Sequence, residues 1–182
     1  MLKTVSISIF LATLVWACAT STGYESATSE SKGHPPVIVD YYAAKVLVPG
    51  ETWKIYLRAE DQDGDMEYIA AMLYQPGLGY YPTSETYLHE NDRAKFVGHL
   101  FLDTPEDENL TEDTFNMKII VRDHSGNRSK VIDLPLKFDE KKYVPPEQRP
   151  ADFRIAGKHR LGAIMINIKS TESYLDQRDE DD

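Results

Sequence analysis

The chain holds one cysteine, Cys18, in 182 residues. A folded domain of this chain has no internal disulfide and must stand on its hydrophobic core. Positive charge is also scarce: 20 Lys and Arg face 30 Asp and Glu, a formal net charge of −10. Such a surface disfavours nucleic acid and anionic lipid as partners, because the attraction that drives that binding has the wrong sign. Reaction motifs are missing too. None of His34, His89, His99, His124 and His159 sits in H-E-x-x-H, no serine lies in G-x-S-x-G, and there is no glycine-rich phosphate loop. These absences argue against an enzyme. No apolar run reaches the roughly 20 residues that a membrane-spanning helix needs.

What is present begins with an address. Met1 and Lys3 give a short basic start, and VSISIFLATLVW, from Val5 to Trp16, is apolar apart from small hydroxyl residues. That length suits the core of an export signal, and the chain turns polar directly afterwards. Val15-Trp16-Ala17-Cys18 resembles the lipobox of bacterial lipoproteins: an aliphatic residue at −3, a small residue at −1, then the cysteine whose thiol accepts diacylglyceryl. The resemblance implies a signal peptide over residues 1–17, lipidation of Cys18 with acyl chains such as palmitate, and attachment to a membrane of the bacterial cell envelope. Ala19, where an Asp would favour the inner membrane, implies the outer one. A second reading takes Ala17-Cys18-Ala19 as an ordinary A-x-A site, which discards the thiol and frees the domain to the periplasm or the medium. A thiol kept in the mature fold is the remaining reading. The rest of segment 18–36 is Ser-, Thr-, Gly- and Glu-rich and buries too little apolar surface to order itself, so it reads as a tether.

From residue 37 the hydrophobic period is two. In ETWKIYLRAED, Trp53, Ile55, Leu57 and Ala59 fall on one face, with Lys54, Tyr56, Arg58 and Glu60 on the other. FNMKIIVRD places Phe115, Met117, Ile119 and Val121 inward, and VIDLPLKF does the same with Ile132, Leu134, Leu136 and Phe138. Pro135 has no N–H to give a ladder, which puts that strand at an edge or beside a bulge. Further strands are expected over residues 37–42, 66–74 and 94–103. MEYIAAMLY has helical propensity in Ala70, Ala71, Met72 and Leu73. It reads as a strand because it follows the Trp53 strand after one tight turn and stops at Gln75-Pro76-Gly77. About seven short strands with Gly- or Pro-bearing turns over residues 37–138 predict an all-β, antiparallel two-sheet sandwich.

Two stretches sharpen the expectation. RAEDQDGDMEY resembles the turn between the second and third strands of bacterial immunoglobulin-like and cadherin-like domains, where A-x-D-x-D-G-D recurs. IIVRDHSGNRSKVIDLPL resembles their last hairpin, with its D-x-x-G-N-x-S turn. Gly64 and Gly126 supply positive φ there, and Asp and Asn side chains bond the turn backbone. The resemblance spans residues 37–138 and implies an Ig-like or cadherin-like sandwich, a superfold that serves many roles. An antibody-type domain is disfavoured, since no inter-sheet cysteine pair exists and Trp53 lies in the second strand, not the third.

Asp61, Asp63 and Asp65 put three hard oxygen donors of the kind calcium takes into five residues. They do not form an EF-hand loop, whose glycine stands at the sixth position; Gly64 is the fourth, and the twelfth position holds Met72. Cadherin-like modules bind calcium between tandem repeats, and this sequence shows one copy. Asp123, in the other turn, contributes a ligand if the two turns meet. Turn capping by these side chains is the alternative. No other cofactor is expected.

The loop QPGLGYYPTSETY carries Tyr80, Tyr81 and Tyr87, flat faces suited to contact with a protein or a sugar, or to covering the open end of the sandwich. Beyond residue 138 a charged, Pro-rich connector leads to LGAIMINIKS, an extra strand over 161–169 that docks on an edge of this sandwich or of a partner. An acidic tail, briefly helical at most, completes segment 139–182. The function expected is a non-enzymatic, lipid-anchored envelope protein presenting a sandwich to an envelope protein or glycan, or taking part in envelope assembly. A calcium-dependent adhesion-type module and a free exported domain are the alternatives.

Overall fold

A computed structural model describes residues 33–139, 153 and 159–180, with side chains of the last segment described as far as Asp176. The chain divides into two units, Met1–Glu30 and Ser31–Asp182. The first lies wholly outside the described residues, as do Cys18, the signal segment, most of the tether and most of the connector. Among the described residues no helix is long and apolar enough to cross a membrane.

The alternation of apolar and polar residues in residues 52–60, 114–123 and 132–138 becomes strand. The long strands are β1 (Val37–Ala43), β3 (Thr52–Glu60), β4 (Met66–Gln75), β7 (Lys95–Asp103), β8 (Thr114–Asp123) and β9 (Ile132–Phe138). Shorter ones are β2 (Val46–Leu47), β5 (Gly79–Tyr80), β6 (Ser84–Tyr87) and β10 (Arg160–Ala163), and a helix, α1, closes the chain at Thr171–Glu180. They form an Ig-like sandwich of two sheets. One sheet runs β1-β3-β7-β10 and the other β2-β9-β8-β4-β5, with β6 also on the free side of β4. The core is the inward row of each long strand: Trp53, Ile55, Leu57, Leu100 and Leu102 from one sheet meet Ile69, Leu73, Met117, Ile119 and Leu136 from the other, none more than 1% exposed.

MEYIAAMLYQ is a strand despite its helix-forming residues, because β4 pairs with β8 on one side and with β5 and β6 on the other. Tertiary pairing overrides a propensity worth a few tenths of a kcal/mol per residue. Pro135 lies in β9 where β2 does not reach: β2 covers only Lys137 and Phe138.

Three features depart from the pattern read in the sequence. Residues 37–138 hold nine strands instead of about seven, since pairs such as Val46–Leu47 are too short to show a period. Two edge pairings, β2 with β9 and β10 with β7, are parallel in an otherwise antiparallel fold. The expected strand over 161–169 is laddered only at Arg160–Ala163, beside β7. The ladder ends at Ala163, although the Ile164 N–H still bonds the Phe101 carbonyl of β7 at 2.8 Å, and the chain then leaves that sheet. Ile164, Ile166 and Ile168 remain buried, while Met165 is 80% exposed. Two backbone N–H groups there bond side chains of β6 and of the loop before it: Met165 N–H to Ser84 Oγ at 2.8 Å and Lys169 N–H to the Tyr81 hydroxyl at 3.2 Å. This strap docks on its own sandwich. Close approach to β7 requires Gly98, where a Cβ would stand 2.9 Å from the His159 carbonyl oxygen.

The opposite flank is closed in the same manner. The first strand segment changes sheet, β1 pairing with β3 and β2 with β9. The Trp53 indole N–H holds the crossing by a 2.8 Å bond to the Ala44 carbonyl. Tyr56, expected on the outer face, does lie there yet is only 2% exposed, because the His99 and Phe153 rings cover it at 5.5 and 5.8 Å.

If the strap is part of the core, Ile166→Ala should destabilise the domain by about 2–5 kcal/mol, against less than about 0.5 kcal/mol for Met165→Ala. Urea denaturation followed by tryptophan fluorescence measures both; equal effects would mean that the strap contributes no core.

Candidate functional site

The β3–β4 turn is built by its own acids. Asp61 Oδ1 accepts the Asp63 N–H at 3.1 Å, and Gly64 closes the bend at φ +72°. Neighbouring loops clamp it: Asp61 N–H donates to the Ala94 carbonyl and Met66 N–H to that of Arg93, at 2.8 and 3.1 Å. From the β8–β9 turn, His124 N–H bonds the Asp65 carbonyl at 3.1 Å and the Ser125 hydroxyl bonds Asp65 Oδ2 at 3.2 Å. The two turns thus abut, and one carboxylate oxygen from each of Asp61, Asp63 and Asp65 lies within 4.8 Å of the others.

Two oxygens in this group, Asp61 Oδ2 and Asp65 Oδ1, are buried and have no hydrogen-bond partner among the described residues. Asp61 is 8% exposed, and burial pushes its carboxyl above the ordinary range; the Asp63 N–H opposes the rise and the adjacent Asp65 carboxylate adds to it. Asp63 behaves oppositely. The backbone N–H of His34, then its ring at 3.1 Å, hold the Asp63 carboxyl below its usual value. His34, read only as tether in the sequence, thus belongs to this site; no spacing signal ties it to an acid 29 positions on. Asp123 does not join the cluster. It is 1% exposed, and its two oxygens accept from Asn127 N–H and Nδ2, each at 2.7 Å, capping its own turn.

The three loop tyrosines part company. Tyr81 is half-buried against the core, and its hydroxyl donates to Gln75 Oε1 at 2.5 Å and accepts from the Lys169 N–H of the strap. Burial pushes its phenol pKa up. Tyr80 and Tyr87 stand on the outer face of the larger sheet, 63% and 62% exposed. Tyr87 pairs across β6–β4 with Tyr68, and Tyr80 across β5–β4 with Tyr74. The ring centroids are 5.4 and 5.0 Å apart and the planes are tilted by 48° and 53°. Between the two pairs lie Met72 and Ile120, half-buried, and Ala70, which is buried, with Glu85 and Lys118 at the adjoining registers. Arg122 Nη1 donates to the Tyr68 hydroxyl at 3.0 Å, the Tyr87 hydroxyl donates to Glu85 at 3.2 Å, and Lys118 pairs with Asp133 at 2.8 Å. Tyr68 and Tyr74 escape a search for loop residues because they sit mid-strand.

No protein-family model matches the chain, and no curated protein matches it. Solved structures that resemble its sandwich include the following three. A PKD domain of an M14-like peptidase from Thermoplasmatales archaeon SCGC AB-540-F20 is 13% identical, with a TM-score of 0.38 over 58% of this chain and 97% of that one. The CARDB domain of the PF1109 protein from Pyrococcus furiosus, solved in complex with di-metal ions, is 11% identical, with a TM-score of 0.32 over 58% and 86%. The human complex of zinc 2-glycoprotein and prolactin inducible protein matches at 11%, with a TM-score of 0.34 over 61% and 99%. These are likenesses of the sandwich, and the metal ions are a property of the CARDB protein.

Three carboxylates would supply about three of the six to eight oxygens that calcium takes. Without a cation, a raised Asp61 pKa has a definite sign. The folded state holds that proton more tightly than the unfolded chain does. Stability from this group therefore falls as pH rises from 3.8 through the raised value. Above that window the ionised, buried carboxylate is a net cost. In chelator at pH 7, Asp61→Asn should keep the bond from Asp63 N–H and melt higher than wild type, with a flatter pH profile above pH 4; a lower melting temperature would refute the buried-charge account.

Proposed function

We propose that the chain is a non-enzymatic bacterial envelope protein, exported on segment 1–17, anchored through acyl chains on Cys18 and presenting the sandwich to an envelope protein or glycan. The observation that carries this is the tetrad Val15-Trp16-Ala17-Cys18 at the end of the apolar run, where the sequence spends its one thiol. Ala19, where an Asp would favour the inner membrane, supports the outer membrane as the destination, and the acidic domain disfavours nucleic acid. Full-length chain expressed in a Gram-negative host should yield a mature species beginning at Cys18 with added acyl mass, partitioning into detergent. Cys18→Ala should abolish both properties. A soluble product beginning at Thr20 would instead make this a free exported domain.

One observation favours a second reading, a calcium-dependent module: the unpartnered, buried Asp61 Oδ2 and Asp65 Oδ1 inside a three-carboxylate cluster. Asp61, Asp63 and Asp65 would hold the ion, which would neutralise the charge that burial penalises. Calcium at about 100 times its Kd should stabilise the fold by about 2.7 kcal/mol. Changing Asp63 and Asp65 together to Ala should remove the rise in melting temperature; an unchanged wild-type melting temperature in calcium would leave the acids as turn caps.

A further inference from the structure

The outer face of the larger sheet carries the same device twice. Tyr68 with Tyr87, and Tyr74 with Tyr80, form two tilted ring pairs of similar spacing and angle. Tyr68 and Tyr74 are six residues apart on one strand, an even spacing that puts them on the same side of it. At about 3.3 Å per residue the two pairs stand roughly 20 Å apart. Between them stand the half-buried Met72 and Ile120, with Glu85 opposite Ala70 on one side and Lys118 opposite Met72 on the other. A recognition unit repeated on one face suits a ligand that itself repeats.

Charge narrows the class. Residues 37–138 carry 10 Lys and Arg against 18 Asp and Glu, a net of −8. On this face, by contrast, Glu85 and Asp133 are balanced by Lys118, Arg122 and Lys137, and most of these charges are spoken for. Lys118 is held by Asp133, Arg122 bonds the Tyr68 hydroxyl, and Glu85 accepts from Tyr87. What is offered outward is aromatic faces with polar rims and no dominant charge. Rings of this kind stack on flat, partly apolar surfaces at a low entropy cost, and their hydroxyls supply hydrogen bonds at the edge. A strongly acidic or basic partner would find no complementary field here.

We propose that this face binds an uncharged, linear polysaccharide, with one sugar stacked at each tyrosine pair and the chain lying along β4. The proposal rests on the contact role given above and names its partner class and surface. It differs from the sequence expectation in its residues: Tyr81 is excluded, and Tyr68 and Tyr74 are added.

The full-length chain, purified as the host processes it, should be run through native gels containing amylose, mixed-linkage β-glucan, xylan or galactomannan, with alginate and polygalacturonate as anionic controls. At least one neutral polymer should retard it, and the anionic ones should not. Tyr80→Ala and Tyr87→Ala should each weaken retardation, and the double variant should weaken it at least tenfold. Melting temperatures should stay near wild type, because both rings are exposed. Tyr87→Phe, which keeps the ring, should retain most of the binding. Oligosaccharides too short to reach both pairs should compete poorly against longer ones. The proposal is overturned if no neutral polymer retards the protein, if the double variant is retarded like wild type, or if anionic polymers bind as well. It is also overturned if sedimentation shows a dimer that the same two substitutions dissolve, since a second copy would then own the face. An unacylated product would defeat the anchoring role and leave this outcome readable.

Discussion

A two-sheet sandwich has two open flanks, and this one must seal them without a covalent staple. Both are sealed by chain that changes sheet. On one side the first strand passes from β3 to β9, and the buried indole of Trp53 grips the Ala44 carbonyl at the crossing. On the other, the strap leaves β7 after Ala163 and drives Ile164, Ile166 and Ile168 between the sheets before anchoring on Ser84 and Tyr81. Everything else in the core depends on these closures. A period-two strand buries one face only if the opposite sheet stays in place, and hydrophobic contact alone fixes no lateral register.

The strap's last residues show how such a closure is made specific. Gln75, fully buried, donates to the Lys169 carbonyl and to Thr171, whose hydroxyl bonds Asp113 in turn. Ser170, also buried, donates to Asp107 and accepts the Ser173 N–H at the start of α1. Such paired polar groups are nearly neutral in net energy when satisfied and costly when broken. They therefore fix where the strap ends more than how tightly it holds. The Ser170 hydroxyl, by bonding Asp107, also holds that carboxyl below its usual value.

The two candidate surfaces obey different physics. At the β3–β4 turn, charge is concentrated and partly desolvated: Asp61 and Asp65 each keep a buried oxygen without a partner, which is unfavourable unless a proton or a cation supplies one. On the outer face of the larger sheet, charge is dispersed and paired, and the exposed material is aromatic. Clustered carboxylates suit a small hard ion. A flat neutral face suits an extended neutral ligand.

The local sequence determined which residues face inward, because a strand's side chains alternate whatever its neighbours do. It also determined where the two acidic turns fall, since Gly64 and Gly126 sit at φ +72° and +89°, angles that other residues rarely adopt. The export address we propose rests on contiguous residues and needs no fold to be read. Tertiary structure decided the rest. Which strands are neighbours, that both flanks change sheet, that Tyr81 serves the strap while Tyr80 faces out, and that His34 reaches Asp63 all depend on contacts between distant segments. Periodicity says inside or outside; it does not say against what. Strands of two residues have no period, and a tyrosine in a turn has the same letter whether its ring packs inward or stands in water.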